Sequence, residues 1–227
     1  QDDLPTFPPL DGQPGRKCIP GAAQARGQCK RCRIDHQGII RPDQVLAADA
    51  LEAGRSAEAL PLLKQAVESS PGDAAVHNDY GCALVSEGHV EEAIAQFRAA
   101  IDVSPDYPDA HNNLASALAQ LGQAADAGSE FRKALALRPD YPEAQAGLGT
   151  LLTLSGRYSE GIPLLLTSVQ GRPQSLTARM GLAIALSESG RPQEALPHAR
   201  EAVALSNGQN AEILELLGRL YAQTGAT

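Results

Sequence analysis

The sequence has no tryptophan, one methionine and only 4% aromatic residues. Sheets and barrels draw on aromatic and β-branched side chains, so this scarcity argues against an all-β fold. No apolar run approaches the ~20 residues of a membrane-spanning helix. Positive charge is also short: 19 Lys and Arg face 27 Asp and Glu, for a net charge of −8. Nucleic acid is therefore not the expected partner. Nucleophile elbows, phosphate loops, His-Glu-x-x-His pairs and glycine-rich dinucleotide fingerprints are missing too, so the chain is not expected to be an enzyme.

What is present is alanine and leucine, in a chain of 227 residues that is 43% hydrophobic. That composition suits closely packed helices. The positions repeat. Gly54, Gly88, Gly122, Gly156 and Gly190 are 34 residues apart, as are Pro71, Pro105, Pro139 and Pro173. Leu46, Tyr80, Leu114, Leu148 and Leu182 keep the same step. So do the small residues Ala59, Ala93, Ala127, Gly161 and Ala195, and then Ala66, Ala100, Ala134, Ser168 and Ala202. Within one period, Leu114, Leu118 and Leu121 form an apolar stripe at helical spacing, and Phe131, Ala134, Leu135 and Leu137 supply a second one. The glycine predicts a left-handed end to the first helix and the proline a stop to the second. Pro61, Pro163 and Pro197 are expected in the first turn of their helices, where a missing N–H is harmless.

A 34-residue helix–turn–helix unit with these positions resembles the tetratricopeptide repeat. The resemblance covers five full units, 40–73, 74–107, 108–141, 142–175 and 176–209, and a partial repeat or cap at 211–227 after a one-residue slip. It implies an all-α, right-handed superhelical solenoid over 40–227. One hairpin cannot bury its apolar face alone, so stability must come from stacking neighbours. The last unit ends where a second helix should begin. It is either a cap or the point at which a longer protein has been cut, and the second reading is preferred.

Residues 1–39 lack the period. The stretch "DDLPTFPPLDGQPG" predicts an extended or turn-like arm. Residues 1–41 carry seven basic side chains against four acidic ones, a net +3, which leaves −11 on the rest. Such an arm suits docking on its own solenoid or on an acidic neighbour. It also holds Cys18, Cys29, Cys32 and His36, and Cys82 follows in the second repeat. Four readings compete for these residues. Covalent haem needs a His directly after Cys-x-x-Cys, but Arg33 stands there, so haem is disfavoured. A thioredoxin-like pair needs a flanking strand and helix that the pattern lacks. Cys18, Cys29, Cys32 and His36 would supply the four ligands of a structural zinc site. Disulfides would staple a coreless arm in an oxidising compartment, with Cys82 open as a partner for an arm cysteine or as an inert small residue. Disulfide without a cofactor is the preferred reading and zinc the alternative. The opening Gln1, followed by a proline-rich stretch, reads as a signal-cleavage product, hence periplasmic or extracellular, with the cytoplasm as the alternative.

The resemblance also places a binding groove on the concave face, lined by the second, fifth, ninth, twelfth and thirteenth positions of each first helix. Asn78, Asn112, Asn113, Ser116, Gln120 and Thr150 are the candidate peptide-binding residues. Asparagine both donates and accepts, so it can pair with main chain of any sequence. His77 and His111 sit at the fourth position, where packing is the expected role. The function that follows is a non-enzymatic scaffold for protein partners, a subunit of a bacterial extracytoplasmic complex or filament. One alternative is a metal- or cofactor-carrying accessory protein using the arm. The other is the regulatory repeat domain of a truncated glycosyltransferase.

Overall fold

Among the described residues, caps, prolines and turn glycines mark where many of the helices start and stop. The computed structural model describes residues 46–225, apart from residues 48 and 52. Leu46, Ala47, Asp49, Ala50 and Leu51 are helical and precede ten further helices. These are α1 (Ser56–Ser69), α2 (Ala74–Ser86), α3 (Val90–Val103), α4 (Pro108–Gln120) and α5 (Ala124–Leu137). They continue with α6 (Pro142–Leu154), α7 (Tyr158–Gly171), α8 (Leu176–Glu188), α9 (Pro192–Leu205) and α10 (Ala211–Thr224). No strand occurs among the described residues, so the fold is all-α. The arm 1–39, with Cys18, Cys29, Cys32 and His36, lies outside the described residues.

The even-numbered helices are the first helices of the repeats. They open on Asp73, Ser175 and Asn210, whose side chains accept from backbone N–H groups of the first turn. In α4 and α6 a proline at the start does the equivalent job, because it has no N–H to leave unsatisfied. The odd-numbered helices lack a side-chain cap. An acidic residue in the first turn, Glu58, Glu91, Asp126, Glu160 or Glu194, complements the helix dipole there instead. Between the two helices of a hairpin the chain turns at Gly88, Gly122, Gly156 and Gly190, each at positive φ, as the spacing predicts.

Two details differ from expectation. Pro61, Pro163 and Pro197 sit six residues into their helices, not in the first turn, because those helices begin at Ser56, Tyr158 and Pro192. They are tolerated because the prolines and the residues four places before them, Ala57, Ser159 and Gln193, are exposed, so the freed carbonyls meet water. Leu114, Leu118, Phe131 and Ala134 are buried, but Leu121 and Leu137 are exposed. Each lies at a helix end, beyond the reach of the neighbouring layer.

The small residues set the spacing of the layers. Ala59, Ala93, Ala127 and Ala195 are fully buried, as are Ala66, Ala100, Ala134 and Ala202. In the fourth repeat a Cβ on Gly161 would lie 2.8 Å from the Gly149 carbonyl, so even alanine does not fit. Ser168 is fully buried there and its hydroxyl donates to the Pro142 carbonyl at 2.7 Å. Each helix packs on the next along the chain. Beyond that, first helices touch first helices: α2 with α4, α4 with α6, α6 with α8 and α8 with α10. The second helices make no such contacts with one another. The first helices are therefore the crowded inner layer of a curved stack, and their exposed edge is its concave face.

Candidate functional site: the concave face of the first helices

The first helices α2, α4, α6 and α8 are each locked at their fourth residue. His77 Nε2 donates to the Pro71 carbonyl at 3.0 Å and His111 Nε2 to the Pro105 carbonyl at 2.9 Å. Gln145 Nε2 donates to Pro139 at 2.9 Å and Arg179 Nε to Pro173 at 2.6 Å. The residue type changes, but in these four helices a donor reaches the carbonyl of the proline that closed the preceding repeat. The other ring nitrogens are also used: His77 Nδ1 pairs with Gln96 Oε1 at 2.8 Å, and His111 Nδ1 pairs with Glu130 Oε2 at 2.6 Å. The two histidines pack between helices, and among the described residues no group of three or more His, Cys, Asp or Glu could hold a metal ion.

With rotation fixed, the fifth, sixth and ninth positions point together. Asn113 Nδ2 donates to Asn78 Oδ1 at 2.9 Å and lies 3.4 Å from Cys82 Sγ. Asn112 Nδ2 donates to Asn113 Oδ1 at 3.3 Å. Asn78, Cys82, Asn112 and Asn113 thus form one amide–thiol cluster spanning α2 and α4. Asn78 and Asn112 are buried, while Asn113 and Cys82 are half-buried. Asn112 Oδ1 is buried without a hydrogen-bond partner. An amide carbonyl left this way is costly unless a donor reaches it.

The remaining candidates stand apart. Ser116 turns its hydroxyl back to the Asn112 carbonyl at 2.9 Å. Thr150 is half-buried with its Oγ1 shielded and unpaired, close against Gly181 of the next first helix. Gln120 is exposed at the end of α4. The ladder of amides accordingly stops after the third repeat, where Gly147 and Gly181 follow Asn113 at the sixth position.

Successive repeats are also clamped at one edge. Arg138 binds Asp109 through two bonds of 2.9 and 3.1 Å, and Tyr141 Oη donates to Asp109 Oδ1 at 2.7 Å. The Arg138 guanidinium lies 4.6 Å from the Tyr141 ring centre. Burial pushes the Tyr141 phenol well above its ordinary value, and the hydrogen bond to Asp109 adds to the shift. Arg172 pairs with Glu143 one repeat later.

Sequence reasoning passed over one feature. At the step Leu60, Ile94, Gly128, Ile162, Leu196, four aliphatic residues are interrupted by a glycine. Around Gly128 the structure has a cleft of about 260 Å³ between α5 and α6. The 34-residue alignment already contained that signal.

A curved stack of helical hairpins with a polar inner face defines a repeat-type interaction scaffold. Tetratricopeptide-repeat family models match residues 78–142, 147–210 and 180–227 in one case, and 50–95 and 118–168 in another. The chain belongs to the tetratricopeptide repeat family, as the sequence pattern implied, and its fold is the family's right-handed superhelical solenoid. Such proteins bind protein partners. No curated protein matches this sequence. Among solved structures, YrrB, described as a TPR protein with an unusual peptide-binding site, is 21% identical with a TM-score of 0.60, covering 72% of this chain and 84% of that one. MamA AMB-1 is 24% identical with a TM-score of 0.61, covering 74% and 99%. A tetratricopeptide repeat protein from Parabacteroides merdae is 21% identical with a TM-score of 0.61, covering 80% and 72%. At these identities the likeness is one of fold. No helix among the described residues is long and apolar enough to cross a membrane.

Proposed function

We propose that this protein is a non-enzymatic scaffold whose concave face receives an extended segment of a protein partner, gripped through its main chain at Asn78, Asn112 and Asn113. One observation carries the reading: Asn112 Oδ1 is shielded from solvent yet has no donor. A backbone N–H from a bound strand would satisfy it once the Asn112 amide turns outward, beside Asn113, which Asn78 already orients. Selection of an unbiased peptide library on the purified protein tests this. Selected peptides are expected to lose about tenfold in affinity on Asn112→Ala, equivalent to one good hydrogen bond. Peptides that bind Asn112→Ala and Asn78→Ala as tightly as the wild type would exclude this face as the grip.

The same protein is proposed to work outside the cytoplasm as a subunit of a larger bacterial assembly. Its arm docks on the solenoid or on a neighbour and is stapled by disulfides among Cys18, Cys29, Cys32 and Cys82. The basic arm, the acidic repeats and the even cysteine count support this reading. Intact mass before and after reduction, paired with metal analysis, decides it. A gain of about four hydrogens without metal supports two disulfides. Stoichiometric zinc with free thiols after chelation would replace the staple by a metal-folded arm.

A further inference from the structure

Most helical glycines in this protein are there because nothing larger fits. A Cβ on Gly81 would overlap the Phe97 ring, one on Gly147 the Phe131 ring, and one on Gly149 would come within 2.7 Å of Leu165. Gly128 is different. It lies within α5, its φ is not in the left-handed range, and its Cβ would meet only Arg132 Nη1, at an ordinary 3.6 Å. Glycine inside a helix is unfavourable relative to any aliphatic residue. Here it gains no close approach in return. The equivalent residues Ile94, Ile162 and Leu196 are buried and fill the space between a second helix and the first helix that follows.

The unfilled space is the cleft of about 260 Å³, walled by Ala124, Ala125, Leu148, Leu151 and Leu152. Arg132 and Arg157 stand at its rim. Arg157 is already held by two hydrogen bonds to Glu160, at 2.7 and 2.6 Å. Arg132 makes no hydrogen bond or ion pair among the described residues, and Glu160 feels its charge. The rim therefore carries two positive charges against one negative, on a chain whose net charge is −8. A hole with an aliphatic floor, and with Ser155 and a spare guanidinium also lining it, is complementary to an aliphatic group next to an anion.

We propose that the Gly128 cleft is a socket for a leucine or isoleucine side chain of a partner polypeptide, presented beside an acidic residue whose carboxylate Arg132 binds. The fold itself defines what fits, because the same place takes leucine or isoleucine in the other repeats. The socket shares no residue with the asparagine cluster, so it is a second contact surface, independent of the concave-face reading. A partner bound at both would gain from the two contacts together.

The test uses the full chain and a short fluorescein-labelled peptide with one Leu between two Glu in a Gly/Ser background, read by fluorescence anisotropy. Saturable binding is expected. It should fall by about tenfold or more with Gly128→Leu, which fills the socket, and by about tenfold when the peptide Leu becomes Ala. Arg132→Gln should weaken binding several-fold and flatten its dependence on salt, while Glu91→Gln, exposed on another repeat, should leave it unchanged. Gly128→Ala is the lighter variant if Gly128→Leu perturbs the fold, and circular dichroism checks both. Four results with the peptide would overturn the proposal. They are wild-type affinity in both Gly128 variants, equal binding of a peptide with Lys in place of Glu, loss of binding with Asn112→Ala alone, and no saturable binding up to millimolar peptide. Sedimentation showing a dimer that Gly128→Leu abolishes would give the socket to a second copy of this chain instead. Octanoate binding more tightly than the peptide would give it to a free aliphatic acid.

Discussion

Asn113 on one first helix donates its side-chain amide to Asn78 Oδ1 on the first helix before it, at 2.9 Å, across a sequence distance of 35 residues. This bond ties two repeats at their inner edge, on the face proposed to receive a partner. Asn113→Ala removes it and leaves Asn78 Oδ1 and Asn112 Nδ2 without their partner. A loss of about 1 kcal/mol is expected, since the cluster is only partly shielded from water. Urea unfolding at constant slope measures it. A stability equal to wild type would show that water replaces the bond without cost.

The glycines divide into two kinds, and substitution separates them. Gly81→Ala and Gly147→Ala must displace the buried Phe97 and Phe131 rings, so each is expected to cost about 1–3 kcal/mol. Gly128→Leu should do the opposite and stabilise by about 1 kcal/mol, from helix propensity alone. Thermal melts of the three variants side by side provide the check.

The fourth-position donors are expected to be the most sensitive polar sites. His111 is buried and serves both the Pro105 carbonyl and the Glu130 carboxylate. His111→Ala leaves two acceptors unpaired at once, for a loss of about 2–4 kcal/mol. His111→Gln should recover part of this, because Gln145 makes the same contact to Pro139 in the next repeat. Chemical denaturation of the pair decides it.

Acid sensitivity follows from Glu130. Burial raises its pKa, but hydrogen bonds from Lys133 and His111 outweigh that and hold the carboxyl below its ordinary value. A carboxylate with a lowered folded pKa adds stability above the unfolded value and loses it as pH falls through the folded one. Wild type should therefore lose stability faster than Glu130→Gln as pH drops from about 5 to about 3. Unfolding free energies over that interval test the difference, and parallel curves would remove Glu130 as a contributor.

Tyr141 should resist alkali. Its phenol is buried and already donates to Asp109, so ionisation would set a second negative charge against the first. The difference between ultraviolet titrations of wild type and Tyr141→Phe should show no phenolate signal until well above pH ~10. Tyr141→Phe should also cost about 1 kcal/mol through the lost bond.

The repeat boundaries, the turn glycines and the closing prolines were legible in the sequence. Each is a local backbone requirement that recurs at one step. Leu121 and Leu137 were misplaced because periodicity places a residue on a face but does not say where the neighbouring layer ends. Pro61, Pro163 and Pro197 were misplaced because the helix starts depend on where the turn glycine releases the chain. Cys18, Cys29, Cys32 and His36 lie outside the described residues, so their pairing is a matter for the mass measurement.

The sequence by itself determined the unit: two amphipathic helices, a left-handed glycine between them, and small residues where helices cross. These follow from steric limits within a few bonds, so the chain carries them locally. Tertiary structure alone decided which side chains meet across repeats. Asn113 reaches Asn78, while Thr150 one repeat later faces Gly181 instead. Gly128 leaves a cleft where its counterparts fill one. Such meetings depend on the superhelical offset between neighbours, which is set by packing over the whole stack and is written in no single repeat.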